Sequence, residues 1–118
     1  MGEFRVIVCG GRDYDNEEFV WKILDCFHKD GLVIIQGGAR GADSFARNWA
    51  ENHDVENREF EADWNRYGRA AGHKRNTKML EEDPHVVVAF PGGPGTENMV
   101  NQAHARGVLV LDLRMEEA

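Results

Sequence analysis

Residues 85–97 restrict what this chain can fold into more than any other stretch. They run His85-Val86-Val87-Val88-Ala89-Phe90-Pro91-Gly92-Gly93-Pro94-Gly95-Thr96-Glu97. An uninterrupted apolar run of this length suits a strand covered on both faces. Pro91 ends the strand because it has no N–H for a ladder. Gly92, Gly93 and Gly95 then allow positive φ and let a ligand approach bare backbone. Thr96 is the expected N-cap of a following helix, whose free first-turn amides and dipole would make an anion site, most often for phosphate. The plainer alternative is a tight strand-to-helix turn that binds nothing.

The rest of the chain repeats the pattern. Phe4 to Cys9 forms a first strand, closed by Gly10-Gly11-Arg12-Asp13. Asp15 and Glu18 resemble a capping box, and Phe19, Val20, Ile23, Leu24 and Phe27 trace a helical face to about His28. Leu32 to Ile35 is the second strand. It runs into Gly37-Gly38-Ala39-Arg40-Gly41-Ala42-Asp43 and a helix whose Ala42, Phe45, Ala46, Trp49 and Ala50 share one side. Residues 56–61 make a weaker third strand, followed by Ala62-Asp63-Trp64 and a helix over 68–80. A helix from Glu97 to Arg106, stopped by Gly107, leads to a fifth strand over Val108 to Leu111 and a frayed tail from Met115.

Apolar strands alternating with helices predict one α/β domain over 1–118, a doubly wound Rossmann-like parallel sheet with helices on both faces. Right-handed crossovers give the order 3-2-1-4-5. Ligands bind such sheets beyond the carboxyl ends of the strands, where the winding reverses. The loops at 10–13, 37–43, 62–64 and 91–97 should therefore meet there.

Composition narrows the function. A formal net charge of −7 disfavours a general nucleic-acid binder, which would show a basic face. Cys9 and Cys26 have no metal-ligand or disulfide pattern. Both are expected as reduced thiols, and no metal or cofactor is expected. Neither a membrane-spanning run nor a signal peptide is visible, which predicts a cytoplasmic protein. Gly-x-x-x-x-Gly-Lys-Ser/Thr and Gly-x-Gly-x-x-Gly are both missing, so a P-loop NTPase and a nicotinamide dehydrogenase are set aside.

What remains is three glycine turns with Arg12, Arg40 and Arg75 near them. Their planar guanidinium forks suit a phosphorylated ligand, although each alone is equally suited to a surface ion pair. Asp43 either holds a ribose hydroxyl or caps its helix. Trp64 either stacks on a base or packs on the core, and Asp63 is placed to position Arg12 or Arg40. His73 reads as structural or solvent-facing.

Five motifs in order, spanning about residues 4–112, resemble the YspA-like branch of the SLOG superfamily. They are Gly10-Gly11-Arg12, Gly37 to Asp43, Ala62-Asp63-Trp64, Gly72-x-x-Arg75-Asn76-x-x-Met79 and Pro91-Gly92-Gly93-x-Gly95-Thr96. The resemblance implies a Rossmann-like fold binding a nucleotide or a nucleotide-derived, ADP-ribose- or NAD-like ligand, as a sensing or sequestering module, and a phage or prophage origin is one setting for it. The Lonely Guy phosphoribohydrolases of this superfamily cleave nucleoside monophosphates to base and ribose 5-phosphate. They carry Arg-Lys-x-x-Met and Pro-Gly-Gly-x-Gly-Thr-x-x-Glu. Here Asn76 replaces the lysine, and Met99 stands where the glutamate is expected. Glu97 is the nearest carboxylate and the candidate catalytic residue if the chain is such an enzyme, although it lies about 200° around the helix from position 99. The resemblance also implies a possible homodimer. A single-stranded-DNA-binding relative exists, but the acidic charge disfavours that role.

Overall fold

The computed structural model describes residues 2–115, so the tail expected to fray from Met115 lies, Met115 apart, outside the described residues. The strands are β1 (Phe4–Cys9), β2 (Leu32–Gln36), β3 (Glu56–Glu59), β4 (Val86–Ala89) and β5 (Leu109–Asp112). The helices are α1 (Glu17–Phe27), α2 (Ala42–Asn52), α3 (Trp64–Tyr67), α4 (Ala71–Leu80) and α5 (Pro94–Ala105). All strand pairs are parallel and the order is β3-β2-β1-β4-β5, as expected.

The central strands read as continuous apolar runs because successive residues feed two different cores. Val6, Val8, Ile34, Val86 and Val88 point to the face covered by Val20 and Leu24 of α1 and Ala46 and Trp49 of α2. Ile7, Cys9, Ile35, Val87 and Ala89 point the other way, onto Met79 of α4 and Met99, Val100 and Ala103 of α5. With both faces covered, a one-residue slip would exchange the two sets wholesale, so the register Val6 to Ile34 and Val6 to Val86 is well specified.

The edges behave differently. β3 is polar, and Arg58 ties it down through ion pairs to Glu3, Glu56 and Glu82. β5 has cover on one side only. Val110 packs towards α5, while Leu109 and Leu111, one pleat apart on the other side, are exposed.

Local chemistry departs from expectation at three helix starts. Asn16, not Asp15, caps α1 by accepting from the Phe19 amide at 3.1 Å. The helix expected over 68–80 is split, because Gly68 takes φ +55° and residues 68–70 form a 3-10 turn before α4 begins at Ala71. Thr96 is not an N-cap. Gly93 holds that position and Pro94 is the first residue of α5, where its missing N–H costs nothing and its φ already fits.

Candidate functional site

The β1 turn holds the neighbouring turns in place. The Gly11 amide donates to the Pro91 carbonyl at 2.9 Å, joining the loops after β1 and β4. A Cβ on Gly92 would lie 2.6 Å from the Gly11 nitrogen and would strike the Thr96 hydroxyl, so only glycine fits that crossing. Gly41, the N-cap of α2, is at φ +75°, and a Cβ there would collide with the Gly11 carbonyl. None of Gly92, Gly93 and Gly95 has positive φ. Their value lies in close approach at Gly92 and in bare backbone at Gly93 and Gly95, where a Cβ would meet nothing within 4 Å.

Beyond these turns lies a cavity of about 400 Å3. Gly10, Gly11 and Arg12 form one side, Ala39 and Asp43 another, and Gly93, Gly95 and Thr96 a third. Trp64, Arg75 and Asn76 complete it from the α3–α4 side, with Arg69, Gly72, His73 and Met79 joining them. Gly37, Gly38 and Arg40 line an adjoining hollow that shares Arg12, Ala39, Trp64 and Arg75 with the first. Pro91 and Gly92 border a third, outer hollow with Gly11 and Arg12. The predicted convergence at the carboxyl edge therefore occurs.

Arg75 is the main cation of the cavity. Its Nη1 donates to the Gly37 carbonyl at 2.8 Å and its Nε to Asn76 Oδ1 at 3.1 Å. Burial pulls its pKa down, Asp43 acts in the opposite sense and neighbouring Arg12 adds to the lowering. A half-buried guanidinium crowded by a second one is short of negative charge. Among the described residues neither Arg12 nor Arg75 forms an ion pair. Arg12 instead lies 5.4 Å from the centroid of the Trp64 ring, a cation–π contact at the cavity mouth. Trp64 is 49% exposed, which removes the core-packing alternative.

Asn76 is buried and donates to the Gly95 carbonyl and to Asn98 Oδ1, both at 3.1 Å, fixing α4 against the first turn of α5. On that turn the amides of Gly95 and Thr96 have no carbonyl one turn back to accept them. Thr96 itself is buried.

Asp43 does not cap α2, which starts at Gly41 without a side-chain cap. Its Oδ2 accepts from the Ala39 amide at 3.2 Å, and the Gly37 amide also favours its charged form. Burial nonetheless pushes its pKa up to about 6, with Arg75 opposing and Glu59 assisting. The Gly38 amide is held from the other side by Gln36 Oε1 at 2.6 Å, and Gln36 in turn donates to Glu59 at 2.9 Å. Burial raises the Cys9 thiol far above its ordinary value, so Cys9 is a packing residue rather than a nucleophile.

Several expected residues stand apart. Asp63 does not reach Arg12 or Arg40; it caps α3 by accepting from the Arg66 amide at 3.1 Å. Arg40 is largely exposed and stands 4.0 Å from Asp13, so it is a rim residue. Gly41 lines none of the hollows and serves the packing of turns. Glu97 is exposed and off the cavity wall, on the side of α5 that faces Arg114. Because Gly93 caps α5 and Pro94 begins it, Glu97 lies a full turn in, where the backbone carries it away from the site. Met99 is fully buried in the core beneath.

Arg69 carries no signal in the sequence as a lining residue, and His73, expected to be structural or solvent-facing, is exposed and also lines the cavity. Arg69 lies in the 3-10 turn that follows the break at Gly68, and His73 in the first turn of α4 beyond it.

Three comparisons with known proteins bear on the family and the fold. A family profile described as "YspA, cpYpsA-related SLOG family" matches residues 4–67. Gene 61 protein of Mycobacterium phage D29 is 36% identical over 118 residues, covering 92% of this chain and 94% of that protein. The crystal structure of TM1055 superposes with a TM-score of 0.75 at 18% identity, over 91% of this chain and 72% of that one, a likeness of fold.

Proposed function

The chain belongs to the YspA-related SLOG family, and from that premise we propose that it binds a phosphorylated nucleotide or a nucleotide-derived, ADP-ribose- or NAD-like molecule over the carboxyl edge of its sheet. The observation that carries the reading is Arg75. It is a half-buried cation with no carboxylate partner among the described residues, facing the same cavity as the free amides of Gly95 and Thr96. Arginine forks and helix-start amides are two independent ways of favouring phosphate, and here they address one space. Arg12 and Trp64 at the mouth offer a flat surface for a base.

The role is that of a sensing or sequestering module for a small molecule, not a nucleic-acid binder, given the net charge of −7. A phage relative fits that setting. No helix among the described residues is long and apolar enough to cross a membrane. Hydrolysis of an N-glycosidic bond needs a carboxylate at the bond that breaks, and the phosphoribohydrolase pattern takes it from the first turns of α5. Buried Met99 and outward-facing Glu97 both count against the phosphoribohydrolase alternative. A homodimer is part of the proposal, and the mass in light scattering at micromolar concentration tests it.

Calorimetry with nucleoside mono- and diphosphates and ADP-ribose tests the binding itself. Arg75→Ala should weaken a ligand that binds by about 1.5–3 kcal/mol, and added salt should weaken it further. Unchanged affinity would return Arg75 to a purely structural role as the anchor of Gly37.

A further inference from the structure

Asp43 is out of character with its surroundings. Among the described residues that line the 400 Å3 cavity it is the only carboxylate, while Arg12, Arg69, Arg75 and the amides of Gly95 and Thr96 all present donors. A cavity that only had to hold an anion would be better without it. The carboxylate is also only partly used. It offers about four acceptor positions, of which the Ala39 and Gly37 amides engage two. It caps no helix amide, and no guanidinium lies within ion-pairing distance of it among the described residues. Yet it is 5% exposed, too deep for bulk water to satisfy the remainder. A buried acceptor on the wall of a donor-rich cavity calls for a ligand that brings hydroxyl or amine hydrogens of its own.

Position distinguishes between these donors. The phosphate-favouring amides sit at the start of α5, and the ring surface of Trp64 lies at the half-exposed mouth. Asp43 is buried on the wall of the same cavity, near Cys9, and belongs to neither of these two places. The part of a nucleotide between its phosphate and its base is the sugar.

We infer that Asp43 accepts hydrogen bonds from the sugar hydroxyls of the ligand, which makes this a site for ribose phosphates that rejects their deoxyribose counterparts. This rests on the phosphorylated-nucleotide reading and adds the sugar to it. The physical ground is that a site built around a buried acceptor leaves that acceptor unpaired when the ligand lacks the matching hydroxyl, which costs far more than a lost surface contact.

The test is calorimetry of the full chain with the four ribonucleoside 5′-monophosphates, their 2′-deoxy and 3′-deoxy counterparts, and ADP-ribose. For a ribonucleotide that binds, removal of at least one hydroxyl should weaken affinity by about thirtyfold or more. In Asp43→Asn, which keeps an acceptor for the Ala39 amide, the ribose and deoxyribose forms should come within about threefold of each other. The wild-type comparison stands even if the variant does not fold. Equal binding of ribose and both deoxyribose forms overturns the inference and leaves the phosphate reading intact. Discrimination that persists in a folded Asp43→Asn protein overturns it too, because another group would then be reading the hydroxyl. If no ribonucleotide binds, the inference falls, and the parent reading falls with it only if ADP-ribose also fails.

Discussion

Replacing Asp43 by Asn should change how stability depends on pH, and the size follows from where the carboxyl sits. Its pKa is raised by burial from 3.8 to about 6, against the opposing pull of Arg75 on α4 and with the support of Glu59 on β3. An acid whose folded-state pKa lies above its unfolded one stabilises the fold at low pH, and that contribution is lost as pH rises through the folded value. Two units correspond to about 3 kcal/mol in full, of which about 2 kcal/mol is lost between pH 4 and 7. Asn cannot titrate. Urea unfolding of both proteins across that window should therefore show the wild type losing about 2 kcal/mol relative to the variant as pH rises. Altered hydrogen bonds to Ala39 and Gly37 shift the whole comparison by a constant and leave this slope untouched. A stability difference flat to within about 0.5 kcal/mol would refute the argument, since it would mean that the carboxyl ionises as it does in water.

Two further substitutions separate the roles of neighbouring residues on the β4–α5 turn. Gly92→Ala should cost about 2 kcal/mol or more in thermal or urea unfolding, because the added Cβ drives into the Gly11 backbone, whereas Gly93→Ala should fold normally and lose ligand affinity. Equal stability of the two would contradict the crossing described. Met99→Glu should destabilise by about 3 kcal/mol or more, since position 99 is sealed in the core and the new carboxyl would be buried without a partner; a stable variant that cleaves AMP would overturn the placement of that side chain.

Much of this architecture was legible because two covered faces leave only one kind of strand sequence. Val6 to Cys9, Leu32 to Ile35 and Val86 to Ala89 had no polar side to present, so parallel pairing and the order 3-2-1-4-5 followed from handedness. The convergence of the glycine turns followed from the same topology. Helix starts were less legible, since caps compete locally. Asn16 takes the cap one residue after Asp15, and Pro94 at the first helical position outranks Thr96. Side-chain direction was least legible. Nothing in the pattern distinguished Asp63 as the cap of α3, Gln36 as the buried brace of Gly38, or Arg69 and His73 as cavity residues. Asp63 and Arg69 depend on the fold at 61–70, where no periodicity operates, and Gln36 on how the end of β2 meets β3 and its own following turn.

The bond from Gly11 to Pro91, with Gly41 packed beneath the same turn, has a consequence for how the site can vary. Three loops from distant parts of the sequence interlock at single-atom clearance, so an insertion in one would pry apart the other two. They behave as a template of fixed gauge. The opposite wall, from Glu61 to Ala70, is exposed or half-exposed throughout and meets the template where Trp64 faces Arg12 and Glu61 lies near Gly38. Changes of length and composition can accumulate there without disturbing the fold. Relatives built on this frame should therefore share the packing of these three turns while differing most in those ten residues.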